Sequence, residues 1–75
     1  MKAVSERLFD TRLYAADAIE EAMDAFAGLA RFSLVARDTD LCVTITAREH
    51  VPHDVETLAS EFANFALAET IHRNR

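Results

Sequence analysis

The chain has 75 residues, of which 51% are apolar, with one glycine, one proline and one cysteine and a formal net charge of −5. That length suits one domain near the lower limit at which a single core suffices, and the apolar share excludes a disordered tail. The acid excess argues against binding a phosphate backbone, and no apolar run approaches the roughly 20 residues a membrane span requires.

Residues 4–13, VSERLFDTRL, carry a weak period-two pattern in which Phe9, Thr11 and Leu13 alternate with Leu8, Asp10 and Arg12. The pattern predicts a short strand, with an amphipathic helical extension as the alternative. Residues 15–29 predict a helix. Ala15, Ile19, Ala22, Met23 and Phe26 fall on one stripe, and Asp17, Glu20, Glu21 and Asp24 lie opposite it. Asp17 sits near the positive helix end, and Gly28 stands where a helix often needs a left-handed residue to exit.

Residues 31–47, RFSLVARDTDLCVTITA, predict the β-hairpin around which the chain is organised. Phe32, Leu34 and Ala36 alternate with other residues, as do Leu41, Val43, Ile45 and Ala47, so each arm has one apolar face. The polar loop Arg37-Asp38-Thr39-Asp40 supplies turn formers. Pairing Ala36 with Leu41 sets Leu34 opposite Val43 and Phe32 opposite Ile45. A one-residue slip would break that match. A lone hairpin is marginal in water, so the flanking helices must cover its apolar face. Cys42 falls on the opposite face with Thr44 and Thr46, exposed or covered by a partner. With no cation beside it in sequence it reads as unreactive, and a single cysteine suits a reducing compartment.

The polar connector Arg48-Glu49-His50-Val51-Pro52-His53 leads to Asp54, a candidate N-cap, and then to one long helix that runs to the end. Val55, Leu58, Phe62 and Phe65 form its stripe, continuing toward Glu69, while Ala59, Ala63, Ala66, Leu67 and Ile71 spread apolar character sideways. His72, Arg73 and Arg75 place positive charge at the negative helix end. The order strand, helix, strand, strand, helix predicts an α+β fold of one domain spanning 1–75. It is a three-stranded, mainly antiparallel sheet under two helices, a truncated ferredoxin-like or split βαβ arrangement. Without a fourth strand, the first strand lies at an open edge, which proteins either blunt or use for pairing.

No constellation predicts catalysis. His50 and His53 beside Glu49 and Asp54 read as an ordinary polar loop, because a closed metal site needs more ligands than these supply. Glu69 and His72 have the Glu-x-x-His spacing of di-iron bundles, which need two such motifs and further glutamates. One glycine cannot build a nucleotide cradle. No cofactor or metal is expected. The partner-binding candidates are Phe62, Phe65, Leu67 and Ile71 on the last helix, with Phe9 and Thr11 on the edge strand. A surplus apolar helix face on so small a chain predicts an interface, including a homo-oligomer.

Phe9-Asp10 followed by Leu13-Tyr14, the Ala18-Ile19…Ala22…Phe26 helix, the hairpin, and Leu58…Glu61-Phe62-x-Asn64 with Leu67 and Ile71 together resemble the HxsD family of His-Xaa-Ser peptide-maturation systems. The resemblance spans most of the chain through hydrophobic spacing plus Tyr14 and Asn64. It implies a small accessory protein without catalytic residues, and the acid excess fits a cytoplasmic one. Such a protein would help bring a ribosomally made precursor peptide and its radical SAM maturase together. Met1-Lys2, followed by Ser5, Glu6 and Arg7, does not read as a signal peptide.

Overall fold

A computed structural model of the chain describes residues 4–50 and 54–73. Val51, Pro52 and His53 of the connector, the leading Met1 and Lys2, and Arg75 lie outside the described residues. Five elements follow in order: β1 (Val4–Asp10), α1 (Ala16–Ala25), β2 (Ala30–Ala36), β3 (Asp40–Ala47) and α2 (Val55–Arg73). The sheet order is β1-β3-β2, and β3 is antiparallel to both neighbours. β1 and β2 therefore run parallel with β3 between them, the split βαβ arrangement within an α+β fold.

The hairpin register is the one its alternation dictates. Ala36 pairs with Leu41, Leu34 with Val43 and Phe32 with Ile45. β1 adds Phe9 opposite Leu41, Arg7 opposite Val43 and Ser5 opposite Ile45. These residues share the inner face, over which α2 lies on β1 and β3.

Strand β1 ends at Asp10 rather than continuing to residue 13, for a local reason. The Asp10 carboxylate accepts the Arg12 backbone N–H at 2.8 Å, while its own C=O accepts N–H groups from Leu13 and Tyr14. An aspartate that closes a turn on its own following backbone stops a strand. Thr11 then donates its N–H and its hydroxyl to the Thr39 C=O, which ties the end of β1 to the hairpin loop.

Helix α1 is shorter than the predicted 15–29, and Gly28 does not play the predicted part. Its φ is not positive, and the helix closes instead through the Phe26 C=O, which accepts N–H groups from Leu29 and Ala30. These tight turns satisfy the terminal carbonyls without a left-handed residue.

The two helices pack antiparallel, with Ala15 at the start of α1 beside Thr70 and Phe26 at its end beside Phe62 and Phe65. Ala18, Ala22, Ala59 and Ala66 are fully buried, and their small side chains let the layers approach closely. One cluster of buried side chains draws on all five elements. Its hub is Phe62, whose ring meets Phe9 at 5.6 Å, Phe26 at 6.0 Å and Phe32 at 5.0 Å. Tyr14 joins through Phe9 at 4.9 Å and Phe65 through Phe26 at 5.8 Å, so all six aromatic residues of the chain form one network. Four of the five pairs are edge-to-face, the arrangement that ring quadrupoles favour.

Candidate functional site

The sheet has two faces, and the helices cover only one. On the outer face the ladder builds four rows, each crossing β1, β3 and β2 in turn. They are Asp10–Asp40–Arg37, with Arg37 one residue past the end of β2, Leu8–Cys42–Val35, Glu6–Thr44–Ser33 and Val4–Thr46–Arg31. Leu8 is 59% exposed and Val35 56%, yet Cys42 between them is only 6% exposed. The thiol is thus covered by its own chain's neighbours, and the expectation that it is open or needs a partner over it is corrected.

The direction of the main chain at the β1 edge follows from one bond. Thr11 donates to Thr39, so the pairs in step with it, Phe9–Leu41, Arg7–Val43 and Ser5–Ile45, exchange the hydrogen bonds with β3. In an antiparallel ladder the intervening residues point the other way. The N–H and C=O of Glu6 and Leu8 therefore face outward along an open edge. Thr11 itself is exposed, but both of its donors are committed to Thr39.

The other predicted partner-binding residues divide between core and surface. Phe62 and Phe9 are buried and hold the core together, so they support the surface from beneath. Phe65 is half-buried against Phe26. Leu67 and Ile71, one helical turn apart on α2, are 40% and 55% exposed and form an apolar stripe.

Ion pairs frame these surfaces. Arg7 reaches Glu56 at 2.8 Å across β1 and α2, and Arg73 on α2 pairs with Glu21 on α1. The Ser5 hydroxyl, and then the Arg7 guanidinium, hold the Glu56 carboxyl below its ordinary range. Arg12 donates to both Asp10 oxygens from its guanidinium and to one from its backbone N–H, which lowers the Asp10 pKa to about 2. One oxygen of Asp40, opposite Asp10 in the ladder, is buried without a hydrogen-bond partner.

Two shallow cavities lie near the ends of the sheet. One, about 300 Å³, is lined by Arg31, Thr46, Ala47, Arg48, Glu49 and His50. The other, about 250 Å³, lies beside the β1–α1 turn at Leu13, Tyr14 and Thr70. Among the described residues no three His, Cys, Asp or Glu side chains gather as a metal would require. His50 and His72 are exposed and Glu69 is half-buried, while His53 lies outside the described residues. Among the described residues no helix is long and apolar enough to cross a membrane.

Sequence reasoning missed Thr70. Its buried hydroxyl accepts the Ala15 N–H at 3.0 Å and donates to the Ala66 C=O at 2.8 Å, which pins the start of α1 to α2. No local signal announces this, because the partner lies 55 residues away.

Fold and surfaces together define a small split βαβ protein with an open strand edge, a bare sheet face and an apolar helix stripe. No known family model, curated protein or solved structure matches the chain.

Proposed function

We propose that this chain is a non-catalytic binding module that docks a ribosomally made precursor peptide, or the radical SAM maturase that modifies it. The observation that carries the reading is the outward-facing main chain of β1 at Glu6 and Leu8. An extended peptide added there gains main-chain hydrogen bonds, and its alternate side chains fall on the two faces of the sheet. On the inner side they meet the Arg7–Glu56 pair, and on the outer side the exposed Leu8. The stripe of Leu67 and Ile71 offers a second, helix-borne contact suited to the larger maturase. The HxsD-like spacing of Phe9-Asp10, Leu13-Tyr14 and Glu61-Phe62-x-Asn64 supports this class of partner.

The test is a tagged pull-down from the native cell, with mass spectrometry that also scores short peptides. The parent is expected to recover a radical SAM enzyme or its precursor peptide. Glu6→Pro removes a donor that faces away from β3 and so leaves the β1–β3 bonds intact, and Ser5 before it is already extended. Folded Glu6→Pro should lose the peptide, and Leu67→Asp should lose the enzyme. Recovery of the chain alone, or unchanged capture by both variants, would contradict the proposal.

A further inference from the structure

The bare outer face of the sheet carries an arrangement that the edge-docking reading touches only at Leu8, and the inference drawn from it does not rest on that reading. Acids line the β1 side of this face, with Glu6 and Asp10, and arginines line the β2 side, with Arg31 and Arg37. Between them the apolar row Leu8–Cys42–Val35 is balanced about β3, with one exposed aliphatic side chain on each flank. We propose that this face is the contact of a weak homodimer, two copies of the chain meeting sheet to sheet about a two-fold axis along β3.

Charge selects that axis. Rotation about β3 lays β1 of one copy over β2 of its partner. Leu8 then meets Val35 twice and Cys42 lies on the axis. Asp10, both of whose oxygens Arg12 already bonds, faces Arg37, and Glu6 lies over Ser33, one row or roughly 7 Å along the strand from Arg31. The alternative two-fold, across the strands, would set the acidic edge on the acidic edge and the basic edge on the basic edge. The contact is isologous, so every favourable pair occurs twice. Aligned sheets pack within about 30° of each other, which keeps the central rows in step.

Area and one like-charge contact limit the affinity. Strands of seven, seven and eight residues span roughly 350 Å² per copy, so two copies bury well below the roughly 1,200 Å² of a standard stable interface. The two Asp40 carboxylates approach each other on the axis at the loop end. The dimer is therefore concentration-dependent. Both α2 stripes and both β1 edges remain free in it.

Sedimentation of the purified chain from about 10 µM to about 1 mM, the range proper to a weak contact, tests this. The average mass of the parent should rise with concentration toward two chains. Val35→Asp, at an exposed position, should remain monomeric, whereas Leu67→Asp should dimerise like the parent. Glu6→Arg and Arg31→Glu should each weaken the dimer, and the two together should restore it. Asp40→Asn should tighten it. A parent that stays monomeric overturns the proposal. So does a dimer lost with Leu67→Asp but kept with Val35→Asp, or a double swap that fails to restore what the single swaps lose.

Discussion

The same three strands present two unlike faces. On the inner face Val43, Ile45 and Phe9 are buried under α2, and Phe62 gathers three rings at once. On the outer face Leu8 and Val35 stand more than half exposed beside threonines, a serine and charged residues. Residues adjacent in sequence therefore differ sharply in energetic weight. Alternation along a strand assigns one residue to stability and the next to whatever approaches from outside.

The largest effect should come from the inner face. Phe62→Ala removes the hub of the aromatic network and should destabilise the chain by about 3–5 kcal/mol, measured by denaturant unfolding. For so small a chain that is enough to abolish folding. Thr70→Val keeps the shape of the side chain but leaves the half-buried Ala15 N–H without its acceptor. A loss of about 1–3 kcal/mol is expected, with faster amide exchange at the start of α1. Gly28→Ala should go the other way. Its φ is not positive and an added Cβ meets nothing within 4 Å. Restricting the unfolded chain should then stabilise the fold by about 0.4–1 kcal/mol.

The outer face has its own, smaller signature in acid. Arg12 lowers the Asp10 carboxyl from 3.8 to about 2. A carboxyl depressed in the folded state contributes stability that is complete above its unfolded value and lost as pH falls through the folded one. The parent should lose this contribution between about pH 4 and about pH 2, and Asp10→Asn should flatten the unfolding curve over that window. An identical pH profile in both proteins would remove Asp10 from the account.

How far the fold was legible from sequence depended on how many constraints each element carried. The hairpin had six apolar residues in two alternating arms, and only one register aligns them. β1 was faint because two of its inward residues are Ser5 and Arg7, which leaves Phe9 as the one large apolar signal. Hydropathy places the α2 stripe on Val55, Leu58, Phe62 and Phe65, continuing toward Glu69. Val55, Leu58 and Phe62 are buried, but beyond Phe62 the buried line runs through Ala66 and Thr70 in steps of four, since small and hydroxylated residues facing a close neighbour helix carry little hydropathy. The same step hid the role of Thr70. The exposed stripe of Leu67 and Ile71 was legible as a surplus over what one sheet face can bury. Phe9 and Phe62 were harder to place, because an aromatic side chain reads alike in a core and at an interface. The cover over Cys42 needed the β1 register, which fixes Leu8 beside it and which the faint pattern of that strand could not supply.

The inner face holds the fold and the outer face does not. Denaturant unfolding of the Leu8→Thr, Val35→Thr double variant, at a dilution where any self-association is absent, separates the two. Threonine suits a strand, so only apolar surface is removed. An unfolding free energy within about 1 kcal/mol of the parent is expected, the scale of two surface substitutions. A loss approaching that of Phe62→Ala would contradict it, because the outer row would then be part of the core.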